Sequence, residues 1–230
     1  QIAIDGPSAA GKSSVARHVA HALDLRYIDS GALFRCITLK AMHFRRDPDD
    51  WQSFVRGTRL VIGPLVVLNQ TNGGRTLSEP TIAMDGADVT TAIRDRAVTA
   101  ASLRIAAIPE VRAALLDVKR ELAAADPRGV VMDGRDIGTH VFPHAHAKLF
   151  LTADVRVRAE RRWRELAARA AATNTVVPPL DDVVDELRAR DLADIQRAIS
   201  PLVQAPDAVL LDSTGLDRDR VVQRAVAIVK

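Results

Sequence analysis

Aromatic side chains are scarce, 3% of 230 residues. A core must therefore be built from Ala, Val, Leu and Ile, and little is left for the stacking platforms on which single-stranded nucleic acids are held. The single cysteine, Cys36, excludes an internal disulfide and agrees with a reducing cytoplasm, the location expected for the chain. Its neighbours Leu33, Phe34 and Ile37 predict a small buried apolar side chain there. No apolar run approaches the roughly 18 residues that a membrane span requires. No signal peptide is expected before the first motif, and because the chain opens at Gln1 rather than Met, a few leading residues are expected to be missing. Lysine is nearly absent as well. Only Lys12, Lys40, Lys119, Lys148 and Lys230 occur, so 27 of the 32 basic residues are arginine. Arginine suits two-pronged phosphate recognition, but genome base composition produces the same bias, so only the positions of the arginines carry weight. His144 and His146 alternate as metal ligands sometimes do; without further ligands beside them, a loop or strand face is the better reading.

What is present fits one domain with insertions: 47% hydrophobic residues, 27% charged and a net charge of only +3. Short apolar runs at 2–4, 26–28, 130–132, 149–151 and 208–211 read as buried parallel strands. Helical patterns at about 13–23, 31–45, 92–106, 109–125, 154–171, 181–198 and 217–229 separate most of them. The alternation predicts an α/β fold around a parallel sheet. Residues 60 to about 90 break it, being rich in Val, Thr, Gly and Asn with a hairpin turn at Asn72-Gly73-Gly74, and predict a small inserted antiparallel sheet. Two arginine-bearing helices joined by the aperiodic stretch 172–180 could swing as a lid, although a solvated charged helix pair would read the same way.

Directly behind the apolar run Ile2-Ala3-Ile4 stands Gly6-Pro7-Ser8-Ala9-Ala10-Gly11-Lys12-Ser13. A strand running into a glycine-bounded loop and then a helix is what a phosphate cradle needs: inward-turned N–H groups, a lysine for the β- and γ-phosphates, and a serine hydroxyl for Mg²⁺. Gly6 to Ser14 therefore predict nucleoside triphosphate binding, with Ser13 as the metal residue.

The second substrate must be read elsewhere. Asp29-Ser30-Gly31-Ala32-Leu33-Phe34-Arg35 opens a helix at a strand end, where Ser30 is expected as the cap and Arg35 as a phosphate holder. Asp133-Gly134-Arg135-Asp136 gathers three charges at another strand end, which a purely structural turn does not need. With Asp5-Gly6 these junctions should surround one site, since ligands of open α/β sheets lie beyond the carboxyl ends of the strands. Arg190, Asp194 and Arg197, spaced i, i+4 and i+7, fall on one helix face; a surface ion-pair ladder is the competing explanation.

Together these stretches resemble the bacterial cytidylate kinases, nucleoside monophosphate kinases of the P-loop class, from end to end. The resemblance rests on Gly6 to Ser14, Asp29 to Arg35, Ala100-Ala101-Ser102, Val111-Arg112, Asp133 to Thr139, Val141-Phe142-Pro143, Arg190-Asp191, Asp194, Arg197 and Ser200-Pro201-Leu202. It implies a three-layer α/β/α P-loop kinase fold with a five-stranded parallel sheet. It also implies a core (about 1–30, 92–153 and 199–230), a monophosphate-binding region with an antiparallel insert (about 31–91) and a helical lid (about 154–198). The implied reaction moves the γ-phosphate of ATP, with Mg²⁺, to CMP or dCMP in pyrimidine nucleotide metabolism, with Lys12, Arg135 and Arg190 as the catalytic charges. Arg35, Arg135 and Arg190 would hold the CMP phosphate, and Ser102, Arg190 and Asp194 the ribose. Ser30, Arg112, Asp136 and Arg197 would read cytosine. Asp133 could orient Mg²⁺ through water. Between Asp191 and Arg197 the chain lacks the extra basic residues that the family often has, so no donor-side contact is assigned there.

Cytosine offers one amino donor and two acceptors, so a carboxylate with cationic and hydroxyl donors matches it, while uracil would set like against like. A monomer is expected, with neither nucleic acid nor membrane as partner. Two rivals remain, another small-molecule P-loop kinase of UMP/CMP or shikimate type and a nucleic-acid-binding NTPase suggested by the pI of 9.4.

Overall fold

A computed structural model of the chain describes residues 1–44, 47–69, 75–173 and 175–230. In chain order it contains β1 (Ile2–Asp5), α1 (Lys12–Ala22), β2 (Arg26–Asp29), α2 (Ser30–Phe44), α3 (Trp51–Arg56), β3 (Leu60–Ile62), β4 (Val67–Asn69) and β5 (Arg75–Leu77). There follow β6 (Ile82–Met84), β7 (Ala87–Asp88), α4 (Arg96–Ala107), α5 (Pro109–Ala124), β8 (Val130–Gly134), β9 (Ala147–Thr152), α6 (Val155–Thr173), α7 (Leu180–Gln196), β10 (Val209–Asp212) and α8 (Arg218–Val229). Five strands make a parallel sheet of order β10-β9-β1-β8-β2. The chain divides into two compact units, one of Gln1 with Ala16–Asp133 and one of Ile2–Val15 with Gly134–Lys230.

In the second unit β1 pairs with β9, Ile4 facing Leu149, and β9 pairs with β10. Ile2, Ala3 and Ile4 are buried because a parallel strand covered on both faces has no solvent side to alternate toward. The edge strand β10 is less protected and leaves Val209 and Leu210 exposed. Helices α6 and α7 share a small core of Ala159, Val183, Val184 and Leu187, against which Ala9 packs.

In the first unit β2 pairs with β8, Tyr27 facing Val131. Helix α2 buries Ala32, Cys36 and Leu39 against Ile82, Met84, Val89, Ile93 and Val98, so the insert is anchored to the helix that begins at Ser30. The insert is two sheets rather than one: antiparallel β3-β6-β7 and a separate β4-β5 pair. The expected turn at Asn72-Gly73-Gly74 lies outside the described residues.

Other local expectations need correction. Ser30 does not cap α2; the carboxylate before it does, Asp29 Oδ1 accepting from the Ala32 N–H at 3.0 Å. Arg197 is not on the α7 face, because the helix ends at Gln196 and Arg197 turns extended (φ −59°, ψ 130°). The helix expected from 92 is split, since Asp95 accepts from Ala97 N–H and starts α4 behind a 3₁₀ turn at Ala92–Arg94. Helix α3 was not foreseen. It is six residues long, too short for periodicity, and depends on Asp50 accepting from the Gln52 and Ser53 amides.

Candidate functional site

The phosphate loop belongs to the second unit. Gly6 is required for packing, since at φ +145° a Cβ there would sit 1.9 Å from the Leu151 carbonyl oxygen of β9. Ala9 and Gly11 take left-handed backbone, at φ +59° and +92°, and such residues turn peptide groups into an anion-binding concavity. No acidic side chain occupies the first turn of α1, whose first internal bond is Val15 N–H to Gly11 C=O. The preceding amides at the positive end of the helix therefore face the loop. The Lys12 side chain folds back over the loop, its Nζ donating to the Pro7 carbonyl at 2.6 Å. This donor set, together with the Ser13 hydroxyl in the first turn of α1, fits a metal-bound triphosphate.

Asp5 links this loop to the next strand end. Its carboxylate accepts from Ile137 and Gly138 N–H at 2.8 and 2.7 Å, fixing the π-helical turn Ile137–Val141 directly behind Arg135 and Asp136. Burial pushes the Asp5 carboxyl up from 3.8 to about 6, with the two amides pulling the other way.

Around Asp194 the second unit gathers the arginines. Arg135 Nε donates to Asp194 Oδ2 at 2.7 Å and Arg197 Nη1 to Oδ1 at 3.2 Å. Burial raises the Asp194 carboxyl, but Arg135, then Arg197 and Arg190, outweigh it and hold it below its ordinary value. Arg197 also donates to the Ile199 and Ser200 carbonyls, which fastens it just past the helix end. Asp136 is buried beside this cluster in sequence. The arginines of α6 and α7 mostly follow the solvated-face reading, with Arg156–Asp181, Arg162–Glu165, Arg164–Glu160 and Arg188–Asp185 as exposed pairs. Arg158 and Arg161 are exceptions, the latter donating to Ser213 Oγ and C=O.

In the first unit Arg35 Nη2 donates to Asp29 Oδ2 at 2.7 Å. Burial pushes the Asp29 carboxyl up, but Arg35 and the Ala32 amide prevail and lower it. Asp133 accepts from the Tyr27 hydroxyl at 2.8 Å. Ser30 is buried at the start of α2, Ser102 donates to Thr99 C=O at 2.7 Å, and Arg112 donates to Ala106 C=O at 3.1 Å. The Arg112 guanidinium lies 5.4 Å and the Lys119 ammonium 4.9 Å from the Phe34 ring centre, both facing its electron-rich surface. Cys36 is buried as expected, and burial lifts its thiol to about 12. His144 and His146 lie exposed around the turn before β9.

The roles of Lys119, Arg158 and the Asp191 carboxylate escaped the sequence reading, which placed Asp5 beside the site only as a strand end and Asp191 only as part of the resemblance. For Arg158 no signal was on offer, because it is one of five arginines within nine residues.

The family model for cytidylate kinase matches residues 2–230. A cytidylate kinase of Desulforamulus reducens is 43% identical over 230 residues, covering 100% of this chain and 96% of that protein. The cytidylate kinase of Desulfitobacterium hafniense is 40% identical, covering 99% and 91%. A bifunctional pantoate ligase/cytidylate kinase of Synechococcus is 42% identical over 99% of this chain, which spans 42% of that longer protein. Among solved structures, an uncharacterized protein from Eubacterium ventriosum aligns over 99% of this chain and 96% of its own with a TM-score of 0.52 at 11% identity, a likeness of fold alone.

Proposed function

The chain belongs to the cytidylate kinase family, and from that membership we propose that it transfers the γ-phosphate of ATP to CMP or dCMP, giving ADP and CDP or dCDP. The observation that carries the reading is the pairing of a phosphate loop with an arginine–carboxylate cluster built on Asp194.

An oxygen of the CMP phosphate attacks the γ-phosphorus as the bond to the bridging oxygen of ADP breaks. That phosphate has a second pKa of about 6, so it is largely dianionic near neutrality and needs no general base. Catalysis then reduces to positioning and charge neutralisation. Lys12 faces the triphosphate, and Arg35, Arg135 and Arg190 take the acceptor phosphate. Ser13 is the residue to hold Mg²⁺, which when bound supplies charge neutralisation across the phosphates. Ser102, Arg190 and Asp194 take the ribose. Ser30, Arg112, Asp136 and Arg197 take the base, and a carboxylate at the cytosine amine opposes uracil's O4. The assignment keeps about 31–91 as the monophosphate region and about 154–198 as the lid. Family membership supports small-molecule nucleotide substrates, and no described helix is long and apolar enough to cross a membrane.

A coupled ADP-release assay over CMP, dCMP, UMP, AMP and shikimate tests this. CMP and dCMP should turn over at least about a hundredfold faster than UMP, the discrimination expected when a buried polar group is mismatched. Equal turnover of UMP and CMP would refute the base assignment.

A further inference from the structure

Ser8 is gripped on both sides of its peptide. Its N–H donates to Asp191 Oδ1 at 3.1 Å, and its C=O accepts from Arg158 Nη1 at 2.9 Å. The same Nη1 reaches Asp191 Oδ2 at 2.6 Å, while Arg158 Nε is anchored on Ala153 C=O at 2.9 Å. The side chains of Arg158 and Asp191 are 7% and 13% exposed, so the pair is well shielded from water. The next residue, Ala9, holds left-handed backbone at φ +59° and packs its methyl against the α6–α7 core.

Three consequences follow from that geometry. A left-handed alanine is strained by about 1–2 kcal/mol and persists only where its surroundings impose it. Here the imposing groups come from α6 and α7, polar at Ser8 and apolar at Ala9. A carboxylate beside an anion-binding loop is unfavourable unless neutralised, and Arg158 is the neutralising group. Finally, the bonds of Arg158 go to main-chain oxygens and to Asp191, which is the pattern of a residue acting through the loop.

We propose that Arg158 and Asp191 are a positioning pair that holds the Ser8–Ala9 segment in its triphosphate-ready shape and ties the α6–α7 hairpin to the phosphate loop. The kinase reading above enters only in naming the ligand as Mg·ATP.

The test compares Arg158→Gln, Asp191→Asn and the double variant with the parent chain. Calorimetric titration with Mg·ATP, without acceptor, measures binding; hydrogen exchange at residues 8–10 in the ligand-free protein measures the loop; a melting curve controls for folding. Arg158→Gln should weaken Mg·ATP by about tenfold or more, because it leaves a bare carboxylate beside the loop, and should speed exchange. Asp191→Asn keeps an acceptor for the Ser8 amide and should cost only a few-fold. The double variant should bind more tightly than Arg158→Gln alone, since the uncompensated charge is gone. A double variant no better than Arg158→Gln would overturn the proposal in favour of direct contact between Arg158 and phosphate. Lowered melting temperatures with unchanged titration and exchange would overturn it in favour of a purely structural pair. The titration uses no acceptor, so failure of CMP turnover would strike the functional reading and leave this result to stand by itself.

Discussion

Replacing Asp194 with Asn tests whether the carboxylate is the electrostatic keystone of its cluster. The side chain is 12% exposed, with Arg135 and Arg197 at 19% and 11%, so solvent screens the pairs only partly. An amide retains one acceptor oxygen and turns its NH₂ toward the other guanidinium, replacing a charge-assisted bond by a donor–donor contact. Hydrogen bonds to charged groups contribute about 1.5–3 kcal/mol, and breaking a buried pair costs about 3–5 kcal/mol. The residual exposure places the loss near the lower end, about 3 kcal/mol at pH 7. At about 2–4 °C per kcal/mol in a chain of this size, the melting temperature should fall by about 6–12 °C. Because the Asp194 carboxyl is held below its ordinary 3.8, the folded chain binds that proton more weakly than the unfolded one. The stabilisation is therefore complete above 3.8 and is lost as pH falls through the lowered folded value. Urea unfolding at pH 7, 5, 4 and 3 should give a constant gap between parent and variant down to about pH 4, then a narrowing one. A gap below about 0.5 kcal/mol at pH 7, or one that persists undiminished at pH 3, would refute the reasoning.

Asp5 predicts the opposite pH dependence. Its carboxyl is raised from 3.8 to about 6, so the folded state is penalised progressively as pH rises through that window, by at most about 3 kcal/mol. The stability advantage of the parent over Asp5→Asn in urea should shrink between pH 4 and 7, and a growing advantage would contradict the assigned cause. The two loop glycines should also separate: Gly6→Ala drives a Cβ into the Leu151 carbonyl and should cost about 4 kcal/mol or more, whereas Gly11→Ala meets nothing within 4 Å and pays only backbone strain of about 1–2 kcal/mol. Melting curves or soluble yield decide this, and equal losses would be the failure.

The parallel strands and the phosphate loop were legible because each depends on neighbours in sequence: an apolar run for a buried strand, and glycines at fixed offsets for a left-handed turn. Helix ends were less legible, since a cap is decided by one side-chain oxygen. Asp29 took that role from Ser30 because a carboxylate that already faces Arg35 can accept the Ala32 amide as well. Arg197 illustrates a different limit. Regular spacing put it on a helix face, but the carbonyls of Ile199 and Ser200 draw it out of the helix while its guanidinium still reaches Asp194.

By itself the sequence determined the phosphate loop and, through its resemblance to the cytidylate kinases, named the residues offered to the acceptor, since glycine offsets and short motifs carry that information. Only the tertiary structure decided how those charges are neutralised. Asp29 holds Arg35, Asp194 holds Arg135 and Arg197, and Asp191 with Arg158 clasps Ser8 across 183 residues of chain. Such partners are selected by proximity in a low-dielectric interior, where an unpaired charge is costly, and no periodicity along the chain records which arginine will arrive beside which carboxylate.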